Sequence, residues 1–396
     1  MKATRQARLW LLQARSSDSA EDREQRTAGC SHTAAEKHIN EKRRPVRACA
    51  FFAAHAIMLR MATYAISDIH GAYDEFQRLL DKIRFQYDGS DSLYLLGDYG
   101  DWGEKSMETI LAVKQMDEEY DFVHCLMGNH ELMFLAAMEY GITEEKVSDS
   151  AENWLEANHG RVTWEAFLDL PEKEQNGLYE WLKNLPFSCD ILLDGRLIMA
   201  AHAFPYFYDM EYTQTERQRR KMDAVWRRLL LRENPFEGYQ GKKKYSLLVC
   251  GHTITDFYYQ QMNREAGGNI LSSLPGNRNR IYRAERFVDI DCGGKCLSWY
   301  GENSHVMHAA ERAQLAAYCL ETDEEFYVGR PRGPVGELML GESVPGWTPP
   351  EIEVQEKEPP EMQAPEFDFP EPGMGPVRKF ADWAQQRVTK RLEMDE

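Results

Sequence analysis

From residue 63 to 138, short apolar runs alternate with stretches whose apolar positions recur every three or four residues. Thr63–Ser67 (TYAIS) reads as a buried strand, and Phe76, Leu79, Leu80 and Ile83 follow at helical spacing. Ser92–Leu96 (SLYLL) is a second run. Residues 104–116 return to helical spacing through Met107, Ile110, Leu111 and Lys114. Phe122–Met127 (FVHCLM) is a third run, and Glu131–Met138 opens another helix. This strand–helix–strand–helix–strand order predicts an α/β (α+β) fold with a sheet covered by helices.

Further along, residues 143–185 are rich in Trp and Leu at helical spacing and read as an inserted helical subdomain. Strands are predicted near 187–193 and 196–201, a strongly basic helix over 214–232, and strands over 245–250, 286–291, 313–320 and 325–328. The main domain is therefore expected over 61–329. Beyond it, 330–376 is rich in Pro and Glu and has the composition of an extended linker. Val377, Phe380, Ala381, Ala384, Val388 and Leu392 then share one face of a short helix over 377–396, which reads as a docking element for a partner. Residues 1–60 lack periodicity and read as a disordered or non-native extension, with the working chain expected to start at Met58 or Met61. The apolar run Ala48–Leu59 is shorter than the roughly 20 residues that span a bilayer.

The net charge of −18 disfavours nucleic-acid or anionic-membrane partners, because phosphate backbones are read mainly by Lys and Arg. An anionic substrate would need local positive charge, which bound metal supplies. The eight cysteines form no Cys-x-x-Cys pair and read as free thiols in a reducing, cytoplasmic setting.

Five motifs close apolar runs: SDIHG with Asp68 and His70, GDYGD with Asp98 and Asp101, GNHE with Asn129 and His130, AAH with His202, and GHT with His252. Ligands bind at the carboxyl ends of strands in open α/β sheets. Each motif alone has a plainer meaning; Asp68, for one, could cap the next helix. Five strand ends bearing Asp, His or Asn in one chain point instead to a shared site. Asp68 and His70, two residues apart, would face the same way in extended chain. A carboxylate can bridge two ions ~3.5–4 Å apart. Donors of N and O type without sulfur suit manganese, iron, zinc or nickel, with manganese the first expectation.

SDIHG, GDYGDWG, GNHE, the His of AAHAF and GHT together resemble the calcineurin-like metallophosphoesterases, in particular their serine/threonine protein phosphatase branch and its bacterial relatives. The resemblance runs from about Thr63 to Val328 and includes FVDIDCGG and LAAYCLETDEEFYV. It implies a metallophosphoesterase-type β-sandwich flanked by helices. It also implies two divalent metal ions, one held by Asp68, His70 and Asp98, the other by Asp98, Asn129, His202 and His252. By the same resemblance His130 assists the leaving oxygen and Asp101 orients His130. The implied reaction is hydrolysis of phosphate monoesters by direct attack of a metal-bridged hydroxide, on a phosphorylated protein or a small phosphate ester. A diadenosine-tetraphosphatase type of nucleotide hydrolase and a non-catalytic phosphate-binding relative are the alternatives. One departure stands out: Trp102 occupies the position where the protein phosphatases carry a phosphate-clamping Arg. Another base would then grip phosphate, with Arg220 and Arg227 among the candidates, or Trp102 would itself stack on substrate.

Overall fold

In the computed structural model the described residues are 61–142, 147–268, 270–298 and 311–329. The extension before residue 61, the Pro/Glu-rich stretch and the amphipathic segment 377–396 lie outside them. Ten strands form two five-stranded sheets. The first has the order β10-β9-β1-β2-β3, from β1 (Thr63–Ile66), β2 (Ser92–Leu95), β3 (Val123–Cys125), β9 (Leu315–Cys319) and β10 (Glu325–Val328). The second has the order β4-β5-β6-β8-β7, from β4 (Ser188–Leu193), β5 (Arg196–Ala201), β6 (Tyr245–Cys250), β7 (Tyr282–Arg283) and β8 (Phe287–Asp289). β1, β2 and β3 run parallel, as do β5, β6 and β8. Parallel neighbours place their carboxyl ends along one edge of each sheet, which is what brings the five motifs together.

The two sheets face each other. Ala65, Ala316 and Tyr318 of the first pack with Ile191, Ile198, Ala200, Val249 and Val288 of the second in one buried cluster. Alternate residues point the other way. Tyr64, Ile66, Leu93 and Leu95 pack under the Tyr73–Ile83 and Ser106–Glu119 helices, while Leu248 and Cys250 pack under the Asp256–Ala266 helix. Burial on both faces explains why these strands read as unbroken apolar runs. The result is the α/β sandwich expected from the sequence.

The insert is helical: Asp149–Ala157, Arg161–Leu168 and Glu172–Asn184 pack Trp154, Trp164 and Phe167 onto Phe134 of the Asn129–Ala136 helix. The basic helix is shorter than expected, ending at Trp226 rather than 232. Arg227 is extended (φ −73°, ψ 117°), and Leu229 and Leu231 turn into the core outside the second sheet. Burying those leucines wins over continuing the helix. β7 and the Asp256–Ala266 helix have no counterpart in the sequence reading.

Candidate metal centre

Asp68 and His70 leave the end of β1, Asp98 and Asp101 the end of β2, and Asn129 and His130 follow β3. His202 follows β5 and His252 follows β6. Asp68 caps no helix, because the Tyr73–Ile83 helix starts at Ala72 with no side-chain cap. Nor is the segment extended. Asp68 and His70 have φ of 54° and 48°, and Asp98, Asp101, Trp102 and His252 lie at 58–69°. Six of the twelve described non-glycine residues with left-handed backbone thus belong to this one locality. Each costs on the order of 1–3 kcal/mol, so packing must hold the loops firmly. Gly128 shows how closely they approach: a Cβ there would sit 2.2 Å from Asp98 Oδ1.

Asp98 stands between the two groups of donors. Its Oδ2 is 3.5 Å from His70 Nε2 and 3.8 Å from His130 Nε2, and its Oδ1 is 3.5 Å from His202 Nε2. Asp68 Oδ1 approaches His70 Nε2 at 3.8 Å, while Asp68 Oδ2 accepts from the Ser67 hydroxyl and the His252 backbone N–H. Asn129 Oδ1 lies 2.9 Å from both His202 Nε2 and His252 Nδ1. Ligand atoms of His70, Asp98 and His130 lie within 4.8 Å of one another, and so do those of Asp98, His202 and His252.

The tautomers follow from the partners. A backbone carbonyl only accepts, so each ring nitrogen facing one must carry the proton. His70 Nδ1 donates to the Gly100 carbonyl (3.0 Å), His202 Nδ1 to the Leu96 carbonyl (2.9 Å) and His252 Nε2 to the Trp226 carbonyl (3.1 Å). Burial foremost lowers all three rings towards the neutral form, those of His70 and His252 well below the usual histidine range. A neutral ring has one proton, already spent. The remaining nitrogen of each is a lone pair aimed at Asp68, Asp98 or Asn129 oxygen. A carboxylate has no N–H to offer in return, whichever way the Asn129 amide is turned. A proton on Asp98 or a cation relieves the crowding at Asp98, while a turned Asn129 amide would donate to His202 and His252. Burial, then the Asp68 and Glu131 charges, push the Asp98 carboxyl well above its usual range. The donor set therefore fits divalent cations, with imidazoles oriented by backbone carbonyls as metal-binding histidines commonly are.

Behind this layer, Glu131, Trp154 and Thr163 had no role in the sequence reading. Glu131 accepts from the backbone N–H groups of Asp98 (2.7 Å), Tyr99 (2.8 Å) and Gly128 (3.1 Å), locking the second and third loops together. Asp101 Oδ2 lies 2.6 Å from His130 Nδ1 and accepts from Trp154 Nε1 at 2.6 Å, and its other oxygen accepts from the Thr163 hydroxyl. The insert, read from sequence as a helical subdomain, thus supplies two of the groups that hold Asp101. Burial pushes the carboxyls of Asp101 and Glu131 up to about 7, against those donors. His130, deeply buried, is held neutral.

Arg220 lies 3.9 Å from Asp223, and Arg227 pairs with Glu233 while lying 3.8 Å over the Phe204 ring. The cations whose charge reaches the site histidines are others: Lys295 acts on His70, His130 and His252, and Arg228 on His252. Trp102 stacks on His159 at 4.1 Å, with the Lys295 ammonium 5.3 Å from its ring centroid.

The pattern of the calcineurin-like phosphoesterases matches residues 61–290, more than half of the chain. The chain belongs to that family. The family is one of phosphoesterases. Among curated relatives, the symmetrical bis(5'-nucleosyl)-tetraphosphatase of Shigella dysenteriae serotype 1 is 32% identical over 163 residues, 38% of this chain and 55% of that protein. The protein of that name from Pasteurella multocida is 36% identical over 126 residues, 32% of this chain and 38% of its own. The chain spans about half the length, or less, of these relatives. Among solved structures, a putative diadenosine tetraphosphatase aligns over 69% of this chain and 96% of its own, with TM-score 0.39 and 16% identity. A metallophosphoesterase from Sphaerobacter thermophilus aligns over 68% and 88%, with TM-score 0.37 and 15% identity. Among the described residues, no helix is long and apolar enough to cross a membrane.

Proposed function

We propose that the chain is a binuclear phosphoesterase in which Asp68, His70 and Asp98 hold one divalent ion and Asp98, Asn129, His202 and His252 the other. The observation that carries this is the set of three neutral imidazoles, each spending its N–H on a backbone carbonyl and turning its lone pair to a shared cluster of oxygens. Ions bound there would lower the pKa of water and offset charge on phosphoryl oxygens, with manganese the first metal to try.

The chain's own groups supply the rest. His130 Nδ1 is tied to Asp101, which leaves Nε2 to face the reacting groups; to protonate the leaving oxygen the ring must first gain a second proton there, which the neighbouring Asp101 carboxylate favours. Trp154 and Thr163 fix Asp101, and with it the plane of the His130 ring. Glu131 sets the spacing between the Asp98 and His130 loops.

For substrate, the names of the relatives favour a nucleoside polyphosphate over a phosphorylated serine or threonine. The test is hydrolysis by metal-stripped protein, before and after Mn²⁺, of p-nitrophenyl phosphate, diadenosine tetraphosphate and a phosphoserine peptide. Metal-dependent turnover with the dinucleotide preferred supports the reading. Preference for the phosphopeptide would reverse the substrate choice, and no turnover with any divalent ion would reject the activity.

A further inference from the structure

We propose that Lys295 is the phosphate-anchoring group of this site, its ammonium held in place by the Trp102 ring. The proposal rests on the phosphoesterase reading above and adds the group that grips the anion. It starts from the backbone. After β8 the chain passes Asp291, whose carboxylate accepts from the Gly293 N–H at 2.8 Å, and opens a short helix at Gly294. A Cβ on Gly294 would lie 1.9 Å from the Asp68 carbonyl oxygen, so this helix begins in direct contact with the first ligand loop. Lys295 is the next residue. Its position beside the centre is thus set by main chain rather than by a flexible side chain alone.

The ammonium lies 5.3 Å from the Trp102 centroid, and Trp102 is backed by His159 at 4.1 Å and 29° between planes. Trp102 immediately follows Asp101, the residue that orients His130. An indole face attracts a cation through its quadrupole. Trp102 therefore serves as the support of a charge rather than as a bare stacking platform. Among the described residues, no carboxylate lies within ion-pair distance of Lys295, whereas Arg220, Arg227 and Arg280 each have one. Half-buried, the Lys295 ammonium lies near enough to His70, His130 and His252 for its charge to act on them, as it does on the buried carboxyls of Asp256 and Asp291. A lysine binds phosphate as a point charge with three donors, so it suits a terminal phosphate without the fixed geometry a guanidinium imposes.

The test is titration calorimetry of inorganic phosphate into Mn²⁺-loaded full-length protein, beside steady-state kinetics on the best substrate. Wild type is compared with Lys295→Ala, Lys295→Met and Lys295→Arg. Lys295→Met keeps the aliphatic stem, so it separates lost charge from lost packing. The anchor predicts phosphate affinity weakened about tenfold or more in Lys295→Ala and Lys295→Met, the lower end of what a charge-assisted hydrogen bond contributes. KM should rise with it while kcat moves less than about threefold, the mark of a group that binds substrate and transition state alike. Lys295→Arg should restore most of the affinity, and bound metal should be equal in all four proteins. Unchanged phosphate affinity in Lys295→Met with equal metal, or no phosphate binding by wild type, overturns the proposal. If wild type shows no turnover, the phosphoesterase reading fails by itself. The titration still decides on Lys295: weaker binding in Lys295→Met supports the anchor, and equal binding overturns it.

Discussion

The two sheets meet at one site but bring different chemistry to it. The ends of β1, β2 and β3 deliver every carboxylate of the proposed centre, Asp68, Asp98 and Asp101, with Glu131 buried just behind. β5 and β6 deliver the neutral imidazoles of His202 and His252, and the loop after β8 brings Lys295. The first sheet thus packs the acids of the proposed centre out of water, and the second adds lone pairs and positive charge while burying two acids of its own, Asp289 and Asp291, within reach of the Asp68 charge. Burying like charges is expensive unless a cation or proton shares the space. A cation in the proposed centre would lie between the sheets and join the sandwich at this edge as well as through its apolar core.

The largest expected effect falls on the proton-handling pair of the first sheet. His130→Asn should lower kcat by about 10²–10⁴, the range typical of a lost general acid–base group. Bound metal should stay near wild type. Loss of metal in step with activity would make His130 a ligand instead. Next comes the second sheet. His202→Ala should weaken one ion and leave the other, so metal dependence should become biphasic or shift to higher concentration. A shift of about 10–100-fold or more is expected, since even groups that only orient ligands cost that much. Equal loss of both ions would mean that the division between the sheets is wrong.

A smaller effect reaches the site from the insert. Trp154→Phe keeps the ring packed on Phe134 but removes the donor to Asp101. The kcat should fall about 10-fold, as for other groups that act behind the reacting residues. Unchanged kcat would show that Thr163 alone positions Asp101.

The smallest effect is on the metal-free protein's pH dependence. Asp101 and Glu131, pushed up to about 7, keep protons in the fold that the unfolded chain gives up near 4. Their contribution is fully present below that value and is lost as pH rises through about 7. The histidines pull the other way. Held neutral in the fold, they favour it above about 6.5 and lose that contribution as pH falls. Melting of Asp101→Asn without metal should therefore decline less between pH 5 and 8 than wild type, and His202→Ala should decline less below pH 6.5. Parallel curves for all three proteins would contradict the charge partition.

Most of the first layer was readable from sequence because it lies on strand ends, where apolar runs stop at Asp, His or Asn. The i, i+2 argument for Asp68 and His70 named two side chains that do approach each other, but by the wrong geometry, since both residues are left-handed rather than extended. The supporting layer was hidden because its contacts are long-range. Trp154 and Thr163 reach Asp101 across 53 and 62 residues. Lys295 carried no signal either. It follows FVDIDCGG, yet nothing in that spacing reveals that Gly294 abuts the Asp68 carbonyl. The helix end at Trp226 was missed for a related reason: the Trp226 carbonyl is taken by His252, a partner from another strand end.

The most direct test of the shared centre is a metal count. Metal-stripped wild type and Asp98→Asn are equilibrated with the same free Mn²⁺, freed of excess, and analysed for bound manganese per chain. The account predicts two ions on wild type, and one or none on the variant, because a neutral amide removes the shared carboxylate charge. Two ions on both proteins, or no more than one on wild type, would contradict a centre bridged by Asp98.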